Sequence, residues 1–295
     1  MSDTHPVQAL LFDYGGVIAE EGFASGLMAL ATEQALRVNL LDEGMQKHDS
    51  FVRLRFYAEL NDFLLPWQQQ TNFHQRFEQT PSVKDLIESV GIPHTEIRLI
   101  LVDSKPVDFN YAVKHKDHIS IYPAFKRLDI STISKTQPSP LSTLSFVLDT
   151  HLGKLARHLR MLGLDTAYKN DFNDEELAHI SACERRIRLT RDRNLLKRKV
   201  IEHGYFVRET DAVAQLKDIV LHFRLKHKIQ PFSRCIVCNG QLRRIDKKRI
   251  QHQLHPMTRQ HYEDFKQCKN CGKVYWKGSH YVKMNTTLST ILSET

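Results

Sequence analysis

Phe146-Val-Leu-Asp149-Thr150-His-Leu-Gly-Lys-Leu-Ala-Arg-His-Leu-Arg160, then Asp171-Phe-Asn-Asp174-Glu175-Glu176-Leu177, then Ile187-Arg-Leu-Thr190-Arg191-Asp192-Arg193-Asn194-Leu195 is the stretch whose reading decides the fold. An apolar run, Phe146 to Leu148, ends on an acid, with Thr150 in the place of an N-cap. Apolar residues then recur at Leu152, Leu155, Ala156, Leu159 and Leu162, which is helical spacing, while Lys154, Arg157, His158 and Met161 take the other face. A second apolar run, Ile187 to Leu189, again closes near an acid, Asp192. Strand, acid and helix thus occur twice, an α/β pattern with carboxylates at strand ends. In open parallel sheets, sites form beyond the carboxyl ends of the strands. Asp149 and Asp192 are expected to meet there, with Asp174 joining from the start of its own helix. Converging carboxylates repel unless a cation stands among them. Mg²⁺ or Mn²⁺, held by a few carboxylates and several waters, suits such a place and can activate water for phosphodiester hydrolysis.

Each acid also has a plainer use. Asp149 sits where a helix dipole favours an acid, and Asp174 can be the N-cap of a helix whose first turn holds Glu175 and Glu176. Asp192 lies among Arg191, Arg193 and Lys197 and could simply balance their charge.

Residues 146–284 resemble the Mut-seven carboxy-terminal RNase domain, a PIN-like nuclease fold followed by a zinc ribbon. The resemblance is carried by Phe146-Val-Leu-Asp149, Leu155-Ala-Arg-His-Leu-Arg-Met-Leu-Gly163, Asp174-Glu-Glu-Leu177 and Leu189-Thr-Arg-Asp-Arg193. It continues through Pro231-Phe-Ser-Arg-Cys-Ile-Val-Cys-Asn-Gly240 and Cys268-Lys-Asn-Cys-Gly-Lys-Val-Tyr-Trp-Lys-Gly-Ser-His-Tyr281. It implies a Rossmann-like sheet, metal-dependent RNA cleavage, and catalytic roles for Asp149, Asp174 and Asp192, with Glu175 as rival for the second place. Asn194 stands where a fourth acid would be sought, which implies a weaker site or a single metal.

The cysteines give a signal that needs no resemblance. Cys235-x-x-Cys238 and Cys268-x-x-Cys271 are separated by 29 residues, each pair with a glycine shortly after it. Two such knuckles can present four thiolates tetrahedrally to Zn²⁺, and the bound metal then supplies folding energy. A redox Cys-x-x-Cys or a disulfide module fits a paired set in a basic segment less well. The fifth cysteine, Cys183, reads as a core filler.

The net charge of +8 is uneven: residues 223–284 hold 15 Lys plus Arg against 3 Asp plus Glu. That segment also carries Phe232, Tyr262, Phe265, Tyr275 and Trp276, so a basic, ring-bearing surface for RNA is weighed against a merely solvated face. No apolar run is long enough to cross a bilayer, and the first residues lack a signal-peptide pattern. A cytoplasmic protein without a membrane partner is expected.

Upstream, Val7-Gln-Ala-Leu-Leu-Phe-Asp13-Tyr-Gly-Gly16 resembles the first motif of haloacid dehalogenase-like phosphohydrolases, with Asp13 in the nucleophile place. The later motifs of that fold are absent, so residues 1–48 are read as a truncated, non-functional segment. Residues 51–127 combine a strand at Phe51–Tyr57, a helix from Ser82 to Gly91, a strand at Ile97–Val102, a turn at Asp103–Pro106 and a strand at His118–Tyr122. They resemble ubiquitin-like β-grasp sulfur carriers, above all the version placed ahead of the Mut-seven RNase domain. Carrier chemistry needs a C-terminal Gly-Gly, and here the chain continues. A docking or RNA-positioning module and a structural appendage both remain open, and the residues name no protein partner.

Residues 128–144, rich in Ser, Thr, Lys and Pro, read as a linker. Residues 145–230 are then the PIN-like domain, 231–284 the ribbon and 285–295 a mobile tail. The whole is a multidomain chain: an α+β β-grasp domain, then an α/β PIN-like domain with a C-terminal zinc ribbon. The expected activity is that of an RNA hydrolase. Asp149, Asp174 and Asp192 would hold the ions, and Lys154, Arg157, Arg191 and Arg193 would steer phosphate. The alternative is an RNA-binding adaptor without catalysis.

Overall fold

The computed structural model describes residues 50–125, 130–141 and 143–293. The dehalogenase-like stretch with Asp13 lies outside them. The chain divides into two compact units, residues 1–138 and 139–295.

In the first unit, strands β1 (Ser50–Phe56), β2 (Phe73–Phe77), β3 (Leu99–Val102), β4 (Lys105–Pro106) and β5 (His118–Tyr122) form one sheet in the order β2-β1-β5-β3-β4. β1 and β5 run parallel and the other pairs antiparallel, with the helix Val83–Ser89 between β2 and β3, which is the β-grasp arrangement. Alternation in β1 drives Val52, Leu54 and Phe56 into the interior, with Ile119 and Ile121 from β5. Ser82 caps the helix by accepting from Asp85 N at 3.1 Å.

Within the expected linker, residues 128–144, some side chains pack against one unit or the other. Ile130 is buried against Leu99, Leu101 and Tyr122, while Leu141 and Leu144 pack on the core of the second unit. Those apolar residues lie inside a polar stretch, and composition averages over them.

In the second unit, β6 (Ser145–Leu148), β7 (Asp165–Ala167), β8 (Ile187–Thr190) and β9 (Gly204–Phe206) make a fully parallel sheet in the order β7-β6-β8-β9. The helices Gly153–Met161 and Ala212–His222 pack side by side over Phe146, Leu148, Ile187, Leu189 and Tyr205. The helix Asp174–Cys183 packs against β6 and β8 and buries Leu177, Ala178 and Ser181. Cys183 falls off that stripe and is exposed, its Sγ 3.4 Å from His179 Nε2, so it is not a core filler.

Strands β10 (Leu242–Ile245), β11 (Phe265–Cys268) and β12 (Val274–Trp276) complete an antiparallel ribbon. The expected tail is instead part of a helix, Ser279–Ser293, whose Leu288 is 2% exposed and belongs to the core with Phe146 and Leu216. Met284 and Leu288 are one helical turn apart, a pair too sparse to stand out in a polar sequence.

Candidate functional site

The chain runs from β6 outward to β7, then returns to lay β8 on the opposite side of β6. The sheet therefore has its topological switch point between β6 and β8, where a crevice opens beyond the strand ends. Asp149 follows β6 directly and Asp192 stands two residues past β8, so both acids belong to this edge.

Asp149 is 8% exposed. Its Oδ1 accepts from Thr150 N at 2.6 Å and from the Thr150 hydroxyl at 3.2 Å, and its Oδ2 accepts from the Thr190 hydroxyl at 2.9 Å. Asp149 is thus itself the cap of the turn that follows, in the place expected for Thr150. The Thr190 hydroxyl oxygen also accepts from Asp192 N at 2.9 Å. One buried threonine therefore ties the two strand ends together. The turn after Asp149 is fixed from outside by the Tyr168 hydroxyl, which donates to Thr150 O at 2.8 Å. A Cβ on Gly153 would lie 2.5 Å from that hydroxyl, so a larger residue here would displace the Tyr168 ring from its hydrogen bond.

Asp192 is exposed and caps the next turn, accepting from Asn194 N at 2.8 Å. Asp174 is also exposed, 3.6 Å from Arg198 Nη2. The cap of its helix is Asn173, in a reciprocal capping box with Glu176, and not Asp174. The Asp174 carboxylate thus stays out of the cap, with Arg198 as its ion-pair partner. Glu175 is exposed on the same turn.

The residue that sequence reasoning passed over is Arg188. It lies in the middle of β8 and is fully buried, and its Nε, Nη1 and Nη2 have no hydrogen-bond partner among the described residues. Burial pushes this guanidinium below its ordinary value. Asp174 and Asp149 pull it back up, Arg198 adds to the lowering, and Asp192 again raises it. Asp174, Asp149 and Asp192 thus each favour the charged form of this buried guanidinium. Within Ile-Arg-Leu-Thr, an arginine between aliphatic residues was the available signal.

Among the described residues these carboxylates form no close group of ligand atoms. Their all-oxygen chemistry is of the kind that suits Mg²⁺ or Mn²⁺. Of the expected phosphate-steering residues, Lys154 and Arg157 are exposed on the helix that starts beside Asp149. Arg191 donates to Glu209 O at 2.8 Å, and Arg193 lies 5.5 Å from the centre of the Phe206 ring.

The second constellation is the cysteine set. The sulfurs of Cys235, Cys238, Cys268 and Cys271 all lie within 4.8 Å of one another. Cys235 Sγ and Cys271 Sγ are 3.7 Å apart, and Cys238 Sγ and Cys268 Sγ 3.4 Å. Tetrahedral thiolates at the usual Zn–S length are separated by about 3.8 Å, so the set fits zinc. The Tyr275 hydroxyl lies 3.0 Å from Cys235 Sγ, a hydrogen bond of the kind that orients a metal ligand.

The first knuckle is bolted to the sheet. Arg160, 3% exposed, donates from Nη1 to Val237 O at 2.7 Å and from Nε to Thr166 O at 2.9 Å. Asp165 receives Arg186 at 2.6 Å, Arg234 at 2.9 Å and Asn239 Nδ2 at 2.9 Å. Burial works against its ionised form, yet these donors hold the Asp165 carboxyl below the usual range. Gly163, at φ +84°, leaves room for the Gln230 carbonyl, which a Cβ would strike. The ribbon and the α/β sheet therefore share one interface.

A β-grasp sheet preceding a parallel α/β sheet, with acids at its switch point and a four-cysteine ribbon clamped to its edge, defines a ubiquitin-like domain joined to a PIN-like one. Residues 49–129 match the family model of the Mut7-C ubiquitin domain, and residues 144–288 match that of the Mut7-C RNAse domain. In this order they give a Mut7-C ubiquitin-like domain followed by a Mut7-C RNAse domain. Neither the curated proteins nor the solved structures give a match. Among the described residues, no helix is long and apolar enough to cross a membrane.

Proposed function

We propose that the chain is a metal-dependent ribonuclease that hydrolyses phosphodiester bonds at the edge between β6 and β8. The observation that carries the reading is the shared Thr190 hydroxyl, which joins the Asp149 carboxylate and the Asp192 backbone at the switch point. Asp149, Asp174 and Asp192 would hold Mg²⁺ or Mn²⁺, and Asp174 is preferred over Glu175 because it shares the surroundings of Arg188. When bound, such an ion polarises the phosphodiester and activates water. The chain's own part is placement. Thr150 and Thr190 fix the Asp149 carboxylate, while Lys154 and Arg157 draw the phosphate backbone toward the edge. Arg191 and Arg193 flank Asp192, their guanidinium groups engaged by Glu209 O and the Phe206 ring, and add positive potential. Zinc on the four cysteines would be structural, and the basic ribbon would grip RNA.

Purified protein is expected to cleave RNA in Mn²⁺, and Asp149→Asn or Asp192→Asn to lose at least a hundredfold in rate with an unchanged circular-dichroism melt. Cleavage retained in both variants removes the mechanism. The second reading, an RNA-binding adaptor, is favoured by Arg188, which already places a cation beside the acids. Under that reading RNA binds equally well with and without Mn²⁺ and is never cut.

A further inference from the structure

The β-grasp sheet has one face toward its interior and one face away from it, and the outward face carries a consistent chemistry. Register places Arg53 beside His74 on β2 and beside His118 on β5, and Arg55 beside Ser120. Arg76 lies opposite Phe51 on the same face. None of the five strands contains an Asp or Glu. Arg53 Nε, Arg55 Nε and His118 Nε2 are buried with no hydrogen-bond partner among the described residues.

Rings border these cations. Tyr57 and Tyr122 are stacked with centroids 4.2 Å apart, and the Arg55 guanidinium lies 5.5 Å from the Tyr57 centroid. Phe51 packs edge-on against His74 and His115 at 4.9 and 4.8 Å. Ile130 packs on this face against Leu99 and Leu101 of β3 and Tyr122 at the end of β5, with Tyr57 at the border of that cluster, and Arg53 and Arg55 lie on the β1 part beyond it. The Arg53 and Arg55 guanidinium groups, whose Nε atoms have no hydrogen-bond partner among the described residues, are set among rings and match the alternating phosphates and bases of a single strand. An apolar partner would leave the arginines desolvated and unpaired.

We propose that the β2-β1-β5 face of the ubiquitin-like unit binds single-stranded RNA through Arg53 and Arg55, with Tyr57 as a stacking ring. RNA is taken as the polyanion on the strength of the ribonuclease reading; the surface itself is argued from its own residues.

The test uses the full-length chain and a fluorescent oligouridine, with anisotropy followed across a salt series in buffer free of added divalent ions. Arg53→Gln/Arg55→Gln is expected to weaken binding on the order of tenfold and to lower the salt slope by roughly one and a half. Arg53→Lys/Arg55→Lys is expected to restore the slope, which a loss of folding would not allow. Lys84→Gln, on the helix of the same unit, is expected to leave both unchanged. An unmoved slope in the Gln pair, or an equal fall in Lys84→Gln, overturns the proposal. Displacement of the RNA by an equal charge of polyglutamate would assign the face to acidic proteins and also overturn it. Cleavage of a dinucleotide in Mn²⁺ separates the two readings. Its absence with the binding differences intact counts against the nuclease alone; its presence with an unmoved slope counts against this surface alone.

Discussion

Arg188 is the residue at which local stability and site chemistry conflict most. A fully buried guanidinium whose three nitrogens have no hydrogen-bond partner among the described residues is expensive, and its compensation is through-space attraction to Asp174, Asp149 and Asp192. Replacing a buried ion pair by apolar side chains of similar volume is often neutral or stabilising, whereas removing one partner alone is costly unless another ion compensates the charge left behind. Arg188→Met is therefore expected to gain roughly 1–4 kcal/mol in urea denaturation when Mg²⁺ is present to offset the acids. A lowered midpoint would mean that the guanidinium is satisfied within the fold. The motif around it was legible: Asp149, Asp174 and Asp192 are strand-end and helix-start acids by pattern alone. That Asn173 would cap the helix in place of Asp174 was not, because Asn and Asp compete for the same role and only backbone geometry separates them.

At the scale of elements, the edge strand β7 and the first cysteine knuckle are held together by charge. Asp165 accepts from Arg186, Arg234 and Asn239, and its folded-state pKa lies below the unfolded one. A depressed carboxyl contributes stability that is present above the unfolded value of about 3.9 and disappears as pH falls through the folded value. Asp165→Asn is accordingly expected to cost roughly 2 kcal/mol at pH 7, and the difference from the parent protein to vanish well below pH 4. Denaturant titrations at the two pH values check this, and a cost independent of pH would refute it. β2 went unread because only its ends are apolar, while His74 and Arg76 occupy the outward face. The helix Ser279–Ser293 went unread because Met284 and Leu288 carry its docking among polar neighbours.

For the whole molecule, the four-cysteine cluster matters beyond its own ribbon. Arg160 reaches from the helix of the α/β sheet to Val237 O and Ile236 O, inside the loop between Cys235 and Cys238. Loss of the metal would therefore loosen the edge of the sheet as well as the knuckles. Chelation with a strong zinc ligand is expected to release about one equivalent of Zn²⁺ and to lower the melting temperature of the second unit, with added Zn²⁺ restoring it. The first unit has its own core and should melt unchanged. A single transition insensitive to chelation would show that the cysteines are not structural.

Order along the chain was enough to identify two α/β repeats, the strand-end acids, the paired cysteines and the β-grasp succession of strands and helix. Each of these is written in local periodicity or fixed spacing. Only the tertiary structure decided that Thr190 would bridge Asp149 to Asp192, that Arg188 would lie unpartnered beside them, and that Arg160 and Asp165 would lock the ribbon to the sheet. The Thr190–Asp149 and Arg160–Val237 contacts join residues 41 and 77 positions apart. A hydrogen bond or charge pair leaves no periodic trace in the chain, and it becomes visible only when strand order brings its two ends together.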